Sequence, residues 1–391
     1  MSEESLVYLD YAATTPLDSR VLEAMTPYFS QVFGNPSSVH RYGQRAEAAV
    51  EASRRRMASV LNCAPSELIF TGCGSESDNL ALRGAALAAR AERNANHILI
   101  SPVEHDAVLK TADSLSQRDG FEVELLPVDS YGRVAPQDLD AAIRPDTAVV
   151  SIMYANNEIG TVNPIQSLAE ICRKQQILFH TDAVQAAGSL TVDVQDLAID
   201  LMSLGAHKFY GPKGVGALYI RNGVALVPTL TGGSQERGLR AGTHNVPLIV
   251  GMAAALALTE SERAEHSLHY QRHRDAIIDG VLAMIPQAQL TGHPTERLPN
   301  HASFIFDGVD GNALLAALDL AGFACSSGSA CKTGDPEPSS VLTAIGFTPD
   351  QALGSLRVTV GRPTTDAQIA SFLAALPQIV ERVASLETSR Q

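Results

Sequence analysis

The stretch LIFTGCGSESDNLALRGAALAARAE, residues 68–92, contains in direct succession a short apolar run, a glycine-rich turn and a helical pattern. The apolar run at residues 68–71 is typical of a buried strand. Residues 77–92 repeat apolar side chains at the spacing of a helix. A strand that leads through a tight turn into a helix is the building unit of sheets with helices packed on their faces. This stretch therefore predicts an α/β fold.

The same alternation continues along the chain. Further apolar runs that we interpret as strands lie at residues 97–101, 147–153, 177–182, 201–205 and 215–220. A helical pattern at residues 167–176 lies between two of these runs. The alternation predicts a mainly parallel sheet with helices on both faces. Because ligands bind beyond the carboxyl ends of such strands, polar residues just after the runs are the candidates for a functional site.

A long helical pattern at residues 247–274 resembles a connector into a second, smaller domain. We therefore predict a large domain at residues 15–261. The smaller domain, of α+β type, would consist of residues 1–14 together with residues 262–391.

Composition and charge narrow the class of protein. The 391 residues are 45% hydrophobic and 18% charged, which is ordinary for a globular chain. The formal net charge of −14 argues against a nucleic acid as a direct partner, because phosphate binding needs a basic face. The acidic N-terminus MSEESLVYLD lacks the apolar region of a signal peptide, and the longest apolar run, residues 248–258, is too short to cross a bilayer. We expect a cytoplasmic protein without a membrane partner.

The cysteines indicate reduced thiols. They are five in number, have no CxxC spacing, and lie at Cys63, Cys73, Cys172, Cys325 and Cys331. An odd number without this spacing argues against a disulfide framework and against a structural zinc site. No resident metal is predicted.

The turn at residues 71–77 is a candidate phosphate site. The amides of a helix N-terminus attract phosphate, and Gly74 and Ser75 lie where the helix would begin. The alternative is an ordinary strand-to-helix turn in which Ser75 or Ser77 caps the helix.

Other strand ends carry single candidates. Asp182 could pair with the nitrogen of a pyridine ring, or it could simply cap the next helix. Lys208 could form a Schiff base, although a lone lysine is more often solvated, and neighbouring His207 could donate to a phosphate. His105 could stack on a ring or move protons, although a lone histidine is more often structural. Lys213, in a Gly-Pro-Lys-Gly turn, is interpreted as a surface residue.

Together these features are the parts of a pyridoxal phosphate enzyme. The chain also resembles the cysteine desulfurases of the nitrogen-fixation and iron–sulfur-cluster assembly group, which are relatives of the class V aminotransferases. The motifs that carry the resemblance span nearly the whole chain: YLDYAATTPLD, FGNPSSVH, ESDNLAL, VEHDAVL, ANNEIG, TDAVQ, AHKFYGPKGVGALYI, GGSQERGLRAGT, SSGSAC, EPSSVL and LRVTVGRPTT. The resemblance implies a fold-type I, pyridoxal phosphate-dependent transferase with a seven-stranded sheet in its large domain, and a homodimer.

The resemblance also implies roles for cofactor-binding residues. Lys208 would be linked covalently to pyridoxal phosphate. His105 would stack on the ring, and Asp182 would pair with the ring nitrogen. Asn157 and Gln185 would contact the phenolic oxygen of the ring or its surroundings.

The phosphate would be held by Gly74, Ser75 and His207, and by Thr243 from the other subunit. Many relatives have a phosphate-binding serine where this chain has Gly205. One hydrogen bond is therefore missing or comes from the backbone at Gly205, and we expect this to lower cofactor affinity.

The remaining implied residues act on the substrate, L-cysteine. Asn35 and Arg357 would bind its carboxylate, for which the fork of an arginine is suited. Cys331, set among small residues in SSGSAC, would be the nucleophile that takes the sulfur as a persulfide; an inert thiol in a turn is the alternative. Cys325, which follows an apparent strand, is the rival nucleophile and is interpreted as packed core. Cys331 could also ligate an iron–sulfur cluster transiently.

The sulfur would pass to an acceptor protein, such as an iron–sulfur scaffold. Two alternatives stay open at this point. One is a selenocysteine lyase or another class V aminotransferase-type enzyme that uses the same cofactor without a loop cysteine. The other is a non-catalytic subunit that kept the fold and lost the chemistry.

Overall fold

The computed structural model describes residues 6–328 and 337–388. Cys331 therefore lies outside the described residues. The strands are β1 (Val7–Tyr8), β2 (Leu68–Thr71), β3 (His97–Ile100), β4 (Glu122–Leu125), β5 (Thr147–Ser151), β6 (Leu178–Asp182), β7 (Leu201–Gly205), β8 (Gly216–Ile220), β9 (Ala288–Leu290), β10 (His301–Phe306), β11 (Phe323–Ala324) and β12 (Ser355–Thr359).

Helices cover most of the remaining described chain. They are α1 (Ser19–Met25), α2 (Pro27–Ser30), α3 (Arg41–Leu61), α4 (Gly74–Arg93), α5 (Asp106–Asp119), α6 (Pro136–Ala142), α7 (Ile165–Lys174), α8 (Val246–Met284), α9 (Gly311–Leu320), α10 (Ser340–Ala344), α11 (Pro349–Leu353) and α12 (Asp366–Thr388).

A seven-stranded sheet lies at the centre, in the order β2-β8-β7-β6-β5-β3-β4. Only β8 runs antiparallel to its neighbours within this sheet, so the predicted seven-stranded, mainly parallel sheet is confirmed. The apolar runs correspond to six of these strands. The seventh, β4, was not predicted, because this edge strand has the sequence Glu-Val-Glu-Leu and is largely exposed. An edge strand with one solvated side carries no continuous apolar run.

Both faces of the sheet are covered by helices, as predicted. On one face α4 and α5 contribute Leu80, Ala85 and Leu115 to a buried cluster. On the other face α3, α7 and the first half of α8 contribute buried side chains such as Met57 and Leu168. The helices cover the two faces of the sheet and do not cover the carboxyl ends of its parallel strands.

A second apolar core lies beyond the first half of α8. It is built on the antiparallel sheet β9-β10-β12 and is covered by the second half of α8, α9 and α12. The N-terminal strand β1 pairs in parallel with β11, and Leu9 is buried in this second core. The predicted division between residues 15–261 and the rest stays a prediction. It would place its boundary inside α8, which is eleven residues longer than its sequence pattern indicated.

Within the described residues, α12 is the helix that is long and apolar enough to cross a membrane by length and composition. Its buried side chains recur every three or four residues, at Ile369, Phe372, Leu376, Val380 and Val383. They pack in the second core. This spacing is that of a helix which covers a protein core with one face.

Candidate active site

A cavity of about 230 Å³ lies at the carboxyl edge of the central sheet. The polar residues that follow β2, β3, β5, β6 and β7 meet there, because these strands are parallel and end at one edge. Nine of the candidate residues line the cavity: Gly74, Ser75, His105, Asn157, Asp182, Gln185, His207, Lys208 and Arg357.

Lys208 follows β7 in a single 3₁₀ turn. Its Nζ donates hydrogen bonds to the carbonyl oxygens of Ala12, at 2.5 Å, and Ala13, at 2.8 Å. Burial, with the charge of Arg357, lowers the pKa of Lys208 to about 8, and Asp182 offsets part of this shift. About a tenth of the amine is therefore neutral at pH 7, far more than for an ordinary lysine, and the neutral amine is the form that attacks an aldehyde.

Asp182 ends β6 and is 6% exposed. Its Oδ1 accepts a hydrogen bond from the amide of Val184 at 2.8 Å, so the side chain orders the turn that follows the strand. Among the described residues, no Lys, Arg or His nitrogen lies within 4.0 Å of its carboxylate. A buried carboxylate without a cationic partner at this range fits a ligand that supplies a positive charge.

Two further carboxyl groups, Asp78 and Glu104, are buried close to Asp182. Burial raises the pKa of both groups, and the neighbouring acids raise it further. Burial also raises the pKa of Asp182, but the Val184 amide and the charges of His105 and Lys208 act in the opposite direction. Because three like charges cannot share one buried region, we interpret Asp78 and Glu104 as neutral acids and Asp182 as the ion. Sequence reasoning assigned no role to Asp78 or Glu104.

The N-terminus of α4 forms another wall of the cavity. The N-cap is Cys73, which makes no side-chain cap, so neither Ser75 nor Ser77 caps this helix as the alternative interpretation had it. The first amides of a helix have no partner within it and attract anions. A Cβ at Gly74 would lie 2.7 Å from Val184 Cγ2, which explains the small residue here.

His207 and Gly205 lie in the turn after β7, near this wall. His207 Nδ1 is 3.2 Å from Thr14 Oγ1. Burial, followed by the charges of Lys208 and Lys213, lowers the pKa of His207 to about 4, so the ring is neutral at neutral pH. Gly205 does not line the cavity, but a Cβ there would lie 3.6 Å from the amide nitrogen of Gly74. A hydroxyl at position 205 would thus be near the helix N-terminus.

His105 is the N-cap of α5. Its Nδ1 accepts a hydrogen bond from the amide of Ala107 at 3.0 Å. This bond orients the ring, which is exposed and lines the cavity. The ring is therefore placed to stack on a planar ligand or to exchange a proton through Nε2.

Arg357 lies on β12 and is 7% exposed. Its Nη2 contacts Asp10 Oδ1 at 2.9 Å, and its Nη1 donates to the carbonyl of Asn157, also at 2.9 Å. Its Nε is buried and has no hydrogen-bond partner among the described residues. Arg357 lines the cavity, and a guanidinium group there is suited to binding a carboxylate. The role of Asp10 was not predicted, although it lies in the quoted motif YLDYAATTPLD.

A second cavity, of about 460 Å³, adjoins the first and shares His105, Asn157 and Arg357 with it. It is also lined by residues 326–328 and 337–340, which flank the segment that carries Cys331. Glu158 lines this cavity as well, and sequence reasoning assigned it no role although it belongs to the quoted motif ANNEIG.

Two candidates lie away from the first cavity. Asn35 and Thr243 are both exposed and do not line it. For Thr243 this is the arrangement expected of a residue that acts in a second subunit. The substrate contact assigned to Asn35 is not made within the described chain and stays a prediction.

Burial disfavours the thiolate form of the described cysteines other than Cys73. Burial raises the pKa of Cys325, Cys172 and Cys63, the last to about 12. A thiol with a raised pKa is a poor nucleophile at neutral pH. Cys73 is exposed and lies within the candidate phosphate turn at residues 71–77. Among the described residues no cluster of His, Cys, Asp and Glu could hold a metal ion.

Comparison with known proteins gives concordant matches. Residues 7–372 match the family model Aminotransferase class-V. The cysteine desulfurase IscS of Methanosarcina thermophila is 46% identical over 385 residues, which cover 98% of this chain and 94% of the relative. The cysteine desulfurase IscS 1 of Archaeoglobus fulgidus is 44% identical over 379 residues, covering 97% and 98%. A solved structure of a NifS-like protein matches with a TM-score of 0.90 at 37% identity, over 96% of this chain and 100% of that chain.

Proposed function

The chain belongs to the aminotransferase class-V family, and from this premise we propose that it is a pyridoxal phosphate-dependent cysteine desulfurase. It removes sulfur from L-cysteine, leaves L-alanine, and carries the sulfur as a persulfide on Cys331. The observation that carries the proposal is the convergence, in one cavity, of an amine of lowered pKa at Lys208, a buried carboxylate at Asp182 and an arginine at Arg357.

The residues present fit the cofactor. Lys208 would bind its aldehyde carbon, Asp182 would face its ring nitrogen, and the N-terminus of α4 with Ser75 and His207 would hold its phosphate. When bound, pyridoxal phosphate supplies an electron-accepting ring that makes the α-carbon of the substrate acidic. His105 would cover the ring, and Asn157 and Gln185 would lie beside it.

Three side chains of the protein carry out substrate binding, proton transfer and attack on the sulfur. Arg357 binds the substrate carboxylate and fixes the orientation of the α-carbon. Lys208, whose pKa is about 8, takes and returns a proton there. The Cys331 thiolate attacks the sulfur atom of the substrate. A sulfur–sulfur bond forms as the bond between this sulfur and the β-carbon breaks. The β-carbon retains the electron pair and takes up a proton, and the product leaves as alanine.

The assembly state is part of the proposal. Large apolar side chains near the N-terminus of α3 are exposed, among them Phe33, 65% exposed, and Val39, 91% exposed. An exposed apolar patch of this kind supports a protein interface. In a homodimer that uses this face, Asn35 would be covered by the partner subunit, and Thr243 would reach the partner's phosphate site.

The persulfide would pass to an acceptor protein, for which an iron–sulfur scaffold is the proposed class, and Cys331 could transiently ligate a cluster during transfer. We infer a reducing, cytoplasmic setting. The inference is supported by the free state of the cysteines that the structure describes.

The test is whether the purified protein, supplied with pyridoxal phosphate, converts L-cysteine. The products measured are alanine and the sulfide that a reductant releases from the persulfide. We expect both products from the native chain, none from Lys208→Ala, and loss of desulfuration in Cys331→Ala with the visible band of bound cofactor retained. Cys325→Ser is the matched thiol control and should stay active. Full desulfuration by Cys331→Ala would contradict the proposal and favour a lyase that needs no loop cysteine.

A further inference from the structure

The carboxylate of Glu158 lies beside Gly328 and Ser339, two described residues on opposite sides of residues 329–336. Ser339 Oγ donates a hydrogen bond to Glu158 Oε2 at 2.5 Å. A Cβ placed at Gly328 would lie 2.8 Å from that same oxygen and 3.5 Å from the Cβ of Ser339. The Oε2 atom of Glu158 therefore binds Ser339 and lies so close to Gly328 that no residue larger than glycine fits there.

Both flanks are also anchored to regular elements. The Gly328 amide donates to Ser355 Oγ, at the start of β12, at 3.2 Å. Ser339 is the N-cap of α10, and its Oγ accepts the amide of Leu342 at 3.1 Å. Glu158 thus links a residue bonded to β12 with the N-cap of α10, and these two residues are eleven positions apart in sequence.

The backbone of Glu158 lies in a hydrogen-bonded turn beside the proposed substrate site. Its amide donates to Oδ1 of Asn156, which is 1% exposed, at 2.8 Å. The neighbouring residue on the same turn, Asn157, offers its carbonyl to Arg357. The turn that positions the substrate-binding arginine is therefore the turn that positions the carboxylate of Glu158.

The charge of this carboxylate is tuned by its surroundings. Burial raises the pKa of Glu158 to about 7; the Ser339 hydrogen bond and Arg357 act to lower it, and Asp106 acts to raise it. The other titratable groups around the same cavity are Glu104, His105, Lys110 and Glu337. A partly buried carboxylate that binds a hydroxyl is a specific contact rather than a solvated surface charge.

We propose that Glu158 is a positioning residue for sulfur transfer: by binding Ser339 and packing on Gly328, it sets the separation of the two flanks and so the delivery of Cys331 to the substrate. The inference rests on the proposed function, in which Cys331 takes the sulfur. Glu158 acts only through the flanks and has no part in binding the cofactor or in moving the α-proton.

The test uses the holoenzyme and two readouts. The first is the single-turnover rate at which L-cysteine forms a persulfide on Cys331. The second is exchange of the α-proton of L-alanine with heavy water, which needs Lys208 and Arg357 but no thiol. For Glu158→Ala we expect persulfide formation to fall roughly ten- to hundredfold, the range for a misplaced reacting group, with proton exchange and the cofactor band retained.

Matched variants distinguish a loss of positioning from a non-specific loss of activity. Gly328→Ala should push the carboxylate aside and reproduce the loss, yet add little in a Glu158→Ala background. Glu158→Gln keeps an acceptor for Ser339 and should retain most of the rate. Glu170→Ala removes an exposed glutamate from α7 and should change nothing.

The outcomes are distinguishable from failure of the proposed function. Absence of a persulfide on Cys331 in the native enzyme would overturn the proposed function and this inference with it. A native persulfide that forms equally fast in Glu158→Ala and Gly328→Ala would overturn the positioning role alone. Parallel loss of persulfide formation and proton exchange would also overturn it, because it would show that Glu158 supports the whole site.

Discussion

Gly205 gives a prediction about cofactor affinity that belongs to a single residue. A Cβ at this position would lie 3.3 Å from Val184 Cγ1, which is tight, and 3.6 Å from the Gly74 amide. Gly205→Ser adds a hydroxyl beside the proposed phosphate site, and Gly205→Ala adds the same crowding without it. We expect the serine variant to bind pyridoxal phosphate roughly five- to tenfold tighter than the alanine variant, the worth of about one hydrogen bond. Equal affinities, measured by fluorescence titration, would show that position 205 does not contact the phosphate.

Lys208 gives a prediction of pH dependence. Its pKa is lowered from 10.5 to about 8, and only the neutral amine attacks an aldehyde. The rate of pyridoxal phosphate uptake by the cofactor-free chain should therefore rise about tenfold per pH unit below pH 8 and level off above it. Because the charge of Arg357 contributes to the lowered pKa, Arg357→Met should move the inflection to higher pH. An inflection near 10.5 in the native chain would contradict this account.

Several residues of the site could be predicted because they follow apolar runs that end at one edge of the sheet. The contacts of Arg357 could not, since its partner Asp10 is 347 residues away in sequence. Glu158 lies in a turn rather than after a strand, and its partners Gly328 and Ser339 belong to another part of the chain. Contacts of this kind depend on how the two cores pack, which no local pattern encodes.

At the scale of elements, one buried ion pair anchors the segment before α8. Glu236 is 6% exposed and has a left-handed backbone with φ 46°. Arg54, on α3, donates to both of its carboxylate oxygens at 2.8 Å. Burial would raise the pKa of Glu236, but hydrogen bonds from His244 and Arg54 lower it to about 2. The ion pair fixes the segment that leads to Thr243.

Glu236→Gln should destabilise the fold by about 3–5 kcal/mol at neutral pH, because it leaves the Arg54 charge buried and uncompensated. Since the pKa of Glu236 is lower in the folded than in the unfolded chain, its stabilisation is complete above about pH 4.5 and declines as the pH falls towards 2. The difference in the free energy of unfolding between Glu236→Gln and the native chain, measured with urea, should therefore become smaller as the pH is lowered. Glu51→Gln, which removes an exposed partner of the same arginine, should cost less than about 1 kcal/mol. Similar losses in the two variants would refute the buried-pair argument.

The order of elements was largely predictable, and the exceptions have physical causes. Buried strands can be predicted because their sequences are apolar runs. Strand β4 has alternating glutamates and a solvated edge, so its sequence lacks such a run. The second half of α8 passes from one core to another, so the apolar face of the helix changes and the pattern that indicates a helix weakens before the helix ends.

At the scale of the whole molecule, the exposed apolar face near α3 predicts a dimer. Phe33→Asp should yield monomers in sedimentation experiments and weaken pyridoxal phosphate binding, because Thr243 of the second subunit would be lost from the phosphate site. Leu320→Asp is the matched control, since Leu320 is 77% exposed at the end of α9. A Phe33→Asp dimer, or monomers with native cofactor affinity, would contradict the assignment of Thr243 to the partner subunit.

In the proposed function, sulfur from L-cysteine is collected on Cys331. Mass spectrometry of peptides after brief exposure of the holoenzyme to L-cysteine tests it most directly. We expect an increment of about 32 daltons, one sulfur atom, on the peptide that carries Cys331. The same increment confined to the peptide of Cys325 or Cys73, or found on no peptide while alanine accumulates, would contradict it.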